Sequence, residues 1–289
     1  MTNRQQNKIL LCLLLTPALL WLGLLIVLPH LDMLLLSFSK RVATGEYKPA
    51  LAQYATFFEE PLYWHTFMRT ASMSALATAI TLVLAFPVSW YIAKIARARS
   101  KAITLAAILL PFWSGEMVRT LGWVILLRSH GVIPQFLFSI GLISEPVELL
   151  YNDASIMLGL VYASLLFMVI PLTNALETLD DSLIEAAYDL GGKPANILFH
   201  IVLPHAAPGV AAGTIMVFML SLGNYLTPVL LGGKNSMWFT EQIYTQFITR
   251  FNWEQGAAFA FLLLSLSSLM VWAGLKLSGQ SFANTMRRV

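Results

Sequence analysis

Apolar residues fall in six long runs separated by shorter polar stretches. A helix that crosses a bilayer needs about 20 mostly apolar residues, and each run meets that length. The runs are Ile9 to Pro29, continuing toward Leu36 past a Pro29 kink; Phe67 to Ile95, with Pro87 inside; Ala102 to Leu127, broken at Pro111 and containing Glu116 and Arg119; Ser155 to Ala175; Pro208 to Leu231; and Gln255 to Leu277. No alternation of the kind a barrel strand requires is present. The pattern predicts an all-α integral membrane protein with six transmembrane helices. No linker, low-complexity tract or fixed-period repeat divides the chain, so residues 1–289 read as a single membrane domain.

Composition strengthens this. The chain is 57% hydrophobic and 11% charged, against about 25% charged for soluble domains. So much apolar surface has to face lipid. The net charge of +3 reflects where Lys and Arg sit beside a membrane and does not argue for nucleic acid. Cys12 is the only cysteine, which excludes an intrachain disulfide and a cysteine metal cluster. Arg4 and Lys8 before Leu10 to Leu28 imitate a secretory signal. The run is too long for one and no small-residue cleavage site follows, so it is expected to stay as the first helix.

Lys and Arg set the expected orientation. With a cytoplasmic N-terminus, the inner side holds Arg4, Lys8, Lys94, Arg97, Arg99, Lys101, Lys193, Lys276, Arg287 and Arg288. The outer side holds Lys40, Arg41, Lys48, Arg69, Arg128, Lys234 and Arg250. The bias is sharpest at the short turn Arg97-Ala98-Arg99-Ser100-Lys101. An even number of spans then puts both termini inside. Tyr63, Trp64, Trp123, Tyr151, Trp238 and Trp253 fall near predicted membrane edges, where aromatic residues act as anchors.

The stretch Glu177 to Ala207 is unusual for a connector. Leu183 to Leu190 holds good helix formers, with acidic residues early. Gly191-Gly192 ends that helix. Pro194 suits the first turn of a second one over Ala195 to Val202, which Leu203-Pro204 is expected to stop. The result is a helix-turn-helix between two spans. Ala186 and Ala187 permit close approach, while Ile197, Leu198, Ile201 and Leu203 need cover from a partner or from the protein's own inner face.

Glu185-Ala186-Ala187, Gly191 and Ile201-x-Leu203-Pro204 form the pattern E-A-A-x3-G-x9-I-x-L-P. It resembles the cytoplasmic loop signature of type I permease subunits of bacterial ATP-binding-cassette importers. The resemblance implies that about 177–207 is a coupling loop seated in a separate ATPase, with those seven residues forming the contact. It also implies two ATPase subunits, a second and distinct permease subunit, a periplasmic solute-binding protein, and residence in the bacterial inner membrane. ATP and Mg would bind the ATPase, and no cofactor would bind this chain.

No enzymatic motif competes with that reading. A phosphate loop needs G-x4-G-K-[ST]. The runs Gly191-Gly192-Lys193-Pro194 and Gly232-Gly233-Lys234-Asn235 lack both the earlier glycine and the later hydroxyl. No H-E-x-x-H or G-x-S-x-G occurs. A secondary transporter driven by protons or sodium would need carboxylates deep in the spans, and only Glu116 is available. An integral-membrane enzyme would need converging titratable groups, which are not found, and a scaffold would bind no ATPase subunit.

Charged residues inside spans mark function or packing. Glu116 and Arg119 are three apart on one helical face. They form either a neutralising pair that fixes packing or a contact with solute or gate. In the fifth run, Asn224, Tyr225 and Thr227 lie between Gly223 and Pro228, where a weakened helix exposes groups to a pathway or hydrogen-bonds a neighbouring span. Leu110-Pro111-Phe112-Trp113, Ser221-Leu222-Gly223 and Leu230-Leu231-Gly232-Gly233 resemble the spermidine/putrescine branch of these permeases, which also includes permeases for opines, aminoethylphosphonate, thiamine and iron. That resemblance implies import of a polyamine such as putrescine or spermidine by alternating access. Relatives in the branch often carry an acidic residue where this chain has Asn224.

Overall fold

The structure, a computed structural model, describes residues 3–43, 46–233 and 236–277. Lys234, Asn235, Arg287 and Arg288 lie outside the described residues, as do the side chains of Arg4, Lys8 and Cys12. Helix α1 (Asn3–Leu22) passes through a π-helical stretch (Gly23–Val27) into α2 (Leu28–Ser37). A hairpin of β1 (Ser39–Ala43) and β2 (Glu46–Pro49) follows, antiparallel, with Lys40 opposite Lys48 and Arg41 opposite Tyr47. Next come α3 (Ala52–Glu59) and the long α4 (Pro61–Trp90), which ends in a second π stretch (Tyr91–Ile95). After α5 (Ala98–Leu109), a 3-10 turn (Leu110–Trp113) leads to α6 (Glu116–Leu127) and α7 (Val132–Ser139). Then follow α8 (Asp153–Glu177), α9 (Asp181–Asp189) and α10 (Pro194–Ile197), with a third π stretch (Leu198–Val202) leading into α11 (Leu203–Leu222). The chain closes with α12 (Leu226–Leu231), α13 (Phe239–Tyr244) and its π extension (Thr245–Thr249), and α14 (Trp253–Leu277).

Six helical segments are long and apolar enough to cross a membrane: Leu13–Ser37, Pro61–Ile95, Glu116–Ser139, Asp153–Glu177, Pro194–Leu222 and Trp253–Lys276. Two differ from expectation. The run Ala102 to Leu127 is no single helix, and the long apolar segment begins at Glu116. Pro111, which lacks an N–H, sits in the 3-10 turn, Ser114 donates to the Pro111 carbonyl at 2.7 Å, and Ser114 and Gly115 have extended ψ. The fifth span starts and ends earlier than Pro208 to Leu231. Leu203-Pro204 does not stop the second short helix. The π stretch lets the Leu203 N–H reach the Leu198 carbonyl, and Pro204 falls in the first turn of α11, where its missing donor costs nothing. At the other end, Gly223 closes α11 and α12 begins separately.

The chain resolves into two compact units, Met1–Trp64 with Gln242–Leu263 and His65–Glu241 with Leu264–Val289. Within the first, Phe57 and Phe259 are fully buried and pack edge-on with Tyr63 and Trp64. Tyr63, expected as an interfacial anchor, is buried here, its hydroxyl accepting from Gln246 and Arg250. Leu14, Leu19, Trp21, Leu25 and Leu28 are exposed, as lipid-facing residues are.

Within the second unit, α8 is the central element. Asn152 caps it with a reciprocal Ser155 bond, and Leu160, Met168, Leu172 and Leu176 are buried along it. It packs closely against α11 because Gly209 and Gly213 bring the two backbones together. A Cβ at Gly209 would lie 2.6 Å from the Pro171 carbonyl oxygen. Small residues drive such packing in membranes, where apolar burial offers little advantage over lipid. At the start of α8, Asp153 pairs with Arg69, which also donates to the Met237 carbonyl at 3.0 Å. Trp238, expected as an anchor, is fully buried against Ala77, Ile156 and Leu160.

Gly209→Leu is expected to lower the thermal unfolding midpoint of the purified protein, since overpacking of this kind costs about 1–3 kcal/mol. Gly122→Ala, inside α6 where nothing lies within 4 Å of an added Cβ, should not lower the midpoint and should raise it slightly, by the helix preference of Ala over Gly.

Candidate functional site

The connector between the fourth span and the body of the fifth is α9, a tight turn and α10, and α10 runs on through the π stretch into α11 as one helical span. Asp180 starts α9 by accepting from the Ser182 N–H at 3.0 Å. That bond, then the Ser182 hydroxyl and the nearby Lys94 ammonium, hold the Asp180 carboxyl below its ordinary 3.8. The helix ends where Gly191 adopts φ +79°, with the Gly191 N–H on the Tyr188 carbonyl and the Gly192 N–H on the Ala187 carbonyl. Pro194 then opens α10.

This connector is fixed to its own protein on one side. Ile197 and Val202 are buried with Leu172, Leu176 and Leu179, and Ile184, Ala187, Leu198 and Ile201 pack against that cluster. Lys94, at the end of the second span, donates to the Leu179 carbonyl and to Asp181. Lys101 pairs with Glu177, and Thr178 bonds His205 at 3.0 Å. The other side is bare: Glu185, Ala186 and Gly191 are exposed, and Leu190 is 89% exposed. The seven loop residues singled out in the sequence therefore divide. Glu185, Ala186, Gly191 and Pro204 face outward, Ala187 and Ile201 pack inward, and Leu203 is half-buried.

A cavity of about 540 Å³ lies between α6, α8 and the α11–α12 break, lined among others by Phe112, Glu116, Arg119, Ser221, Asn224 and Tyr225. Glu116 and Arg119 do not pair, and among the described residues no ion pair involves either. Glu116 accepts from the Asn224 amide at 2.8 Å. Arg119 lies 4.3 Å from the Phe112 ring centre, while its Nε and Nη1 are buried without a hydrogen-bond partner. Asn224 also caps α12, its side-chain oxygen accepting from the Thr227 N–H at 2.9 Å. Of the five pathway residues expected, four line the cavity. Thr227 does not, being buried with its methyl group toward Gly159.

Several contributors escaped sequence reading. Lys94 and Lys101 registered only as positive charges of a short turn, because their partners lie far along the chain. Ser164 and Phe167 of α8 line the cavity, and their spacing of three was the only available signal. Ser221 and Phe112 lie in the stretches Ser221-Leu222-Gly223 and Leu110-Pro111-Phe112-Trp113, whose family resemblance assigns neither side chain a role. Among the described residues no three His, Cys, Asp or Glu side chains gather as a metal site would require.

Residues 8–276 match the family described as binding-protein-dependent transport system inner membrane component. The chain is 32% identical over 253 residues to the spermidine/putrescine transport system permease protein PotB of Escherichia coli, covering 87% of this chain and 91% of that one. It is 33% identical over 222 residues to the inner membrane ABC transporter permease protein YdcU of the same organism, covering 72% and 70%. A bacterial alginate ABC transporter, solved in complex with alginate pentasaccharide-bound periplasmic protein, shares the fold at TM-score 0.77 and 17% identity, covering 94% of this chain and 95% of that one. The chain therefore belongs to the binding-protein-dependent transport inner membrane components, the permease subunits of ABC importers. It is a multi-pass inner membrane protein, and its relatives are transport subunits, not enzymes.

Because the Asp180 carboxyl is lowered, it binds its proton more weakly folded than unfolded. Its contribution as a cap is present above the ordinary value and is lost as pH falls through the folded value. Amide protection in the first turn of α9, taken as the exchange rate relative to the intrinsic rate at each pH, should therefore fall on acidification below about pH 4. Asp180→Ala should lower that protection already at neutral pH, and Asp180→Asn, which keeps the oxygen acceptor, should show no acid step.

Proposed function

We propose that this permease imports a small amine, of the polyamine kind such as putrescine or spermidine, from periplasm to cytoplasm. The observation that carries the coupling half of this reading is the two-sidedness of the connector at 177–207. One face is tied to the second, fourth and fifth spans through Lys94, Lys101 and the apolar cluster. The other offers Glu185, Ala186, Gly191 and Leu190 to an absent surface. Leu183, Tyr188 and Leu190 are all exposed on α9 and at its end, and apolar side chains grouped in this way favour a partner contact. The partner is an ATPase subunit, with two ATPases, ATP and Mg serving a pair of distinct permeases and a periplasmic solute-binding protein. Both termini and the connector are cytoplasmic.

ATP-driven closure of the two ATPases draws the connectors together and turns the pathway outward, where the docked binding protein releases solute. Hydrolysis resets it inward. The motor biases this equilibrium only through contacts that differ between the two states, and the outward face of α9 with its Gly191 turn is where they form. The amine half rests on kinship with the spermidine/putrescine permease and on Glu116, the carboxylate lining the cavity.

Gly191→Pro, which cannot adopt the left-handed turn, and Glu185→Lys should each abolish uptake in cells while membrane insertion persists. Normal uptake by both would remove the coupling claim. Stimulation of ATP hydrolysis by putrescine or spermidine, in the reconstituted complex with its binding protein, tests the solute.

A further inference from the structure

The hairpin of β1 and β2 carries a cationic face that no acid among the described residues neutralises. Its register sets Lys40 directly opposite Lys48 and Arg41 opposite Tyr47. Successive side chains point to opposite faces of a strand, so the two lysines share one face and Arg41 shares the other with Tyr47. All four are exposed. The exposed acids Asp32, Glu59 and Glu60 belong to the same unit, yet no ion pair joins any of them to the hairpin. Like charges directly opposite on paired strands destabilise the pair, and Lys and Arg beside a span oppose its passage to the outer side. A loose loop would let the two ammoniums part, but this one is braced at its base. The Ser39 carbonyl accepts from Gln53 Nε2 at 3.0 Å and the Phe38 carbonyl from the Ala50 N–H at 2.8 Å. The Tyr54 ring lies 5.3 Å from that of Phe38, and its hydroxyl donates to Ser37 Oγ at 3.0 Å.

We propose that the Lys40–Lys48 face is a docking surface for a carboxylate cluster on the periplasmic solute-binding protein. This rests on the reading of the chain as an importer permease with a cytoplasmic N-terminus, which puts the loop after the first span on the outer side. A carboxylate set between the two ammoniums meets both, and charge-assisted bonds of this kind are the strong ones. The hairpin keeps that pair assembled before the partner arrives, so little ordering is left for the encounter. Anionic lipid is the rival partner, and the two faces of the hairpin separate the candidates. Arg41 beside Tyr47 has the make-up of a face that lies along a membrane, a ring next to a long cation. The lysines point the opposite way, toward the water from which a soluble protein approaches. Exposed charges act on the rate of encounter and its salt dependence more than on the tightness of the finished complex. That suits a binding protein that must dock and leave in every cycle.

The test uses the whole transporter, purified with its ATPases and second permease in lipid nanodiscs and immobilised. Its solute-binding protein is passed over as isolated, and the association rate is followed by surface plasmon resonance at low and at physiological salt. Lys40→Glu combined with Lys48→Glu should slow association by about tenfold or more at low salt. Lys40→Gln combined with Lys48→Gln, which removes charge without reversing it, should slow it less. Both pairs should flatten the salt dependence seen with the parent. Co-purification of the ATPases with each variant shows that the assembly is intact. An association rate unchanged by the reversed pair overturns the surface, as does a parent rate that is indifferent to salt. A slowing that vanishes in nanodiscs of zwitterionic lipid alone assigns the lysines to anionic lipid and also overturns it. The importer reading fails separately, if the parent chain does not co-purify with an ATPase.

Discussion

Hydrocarbon offers no hydrogen bonds, and that constraint orders this structure. Backbone inside a bilayer must bond to itself, so non-helical segments survive there only where protein or a cavity lies beside them. Among the described residues two such non-helical stretches abut the spans, Ser114–Gly115 just before Glu116 and Gly223–Asn224–Tyr225 just after Leu222. Both border one cavity. Each break also supplies that cavity with a polar side chain, Glu116 at the start of α6 and Asn224 at the cap of α12, and the two are bonded across it. The interruptions in helix are thus also the source of the site's chemistry. The same logic explains Ser114 and Asn224 themselves, whose side chains occupy backbone groups that the interruptions leave open.

Most of the helical frame was legible because length and apolarity alone identify a span. Four of the six runs agree with the structure within a few residues. What failed to show was the consequence of each proline. Pro87 is absorbed within α4, and Pro204 within the first turn of α11, while Pro111 accompanies a full break. Sequence places the missing donor and not the remedy, which is a π stretch before Pro204 and a 3-10 turn at Pro111. The hairpin Ser39–Ala43 with Glu46–Pro49 was also unseen, since its strands are short and carry no clear alternation.

The residues that line the cavity were largely legible in the sequence, and their bonds less so. Spacing put Glu116 and Arg119 on one face and left open a neutralising pair or a contact with solute or gate. Long-range geometry instead gave Glu116 to Asn224 and Arg119 to Phe112. Thr227 sat between two helix-weakening residues and was read as pathway-lining, yet its methyl group fills the hollow at Gly159. In the connector, the apolar residues needed cover, and sequence left open what supplied it. Ile197 is covered by α8 and α4 of the same chain, whereas Leu190 is covered by nothing among the described residues.

Lys94 has a mechanical consequence of its own. It grips the carbonyl at the end of one helix and the carboxylate at the start of the next. An ammonium carries three donors on a freely turning carbon–nitrogen bond, so it holds separation while permitting rotation. Interlocked apolar side chains would resist both. Ile184 and Ala187 add that packing on the other flank of α9, so the short helix is held both in distance and in angle, and it moves together with the spans it rests on.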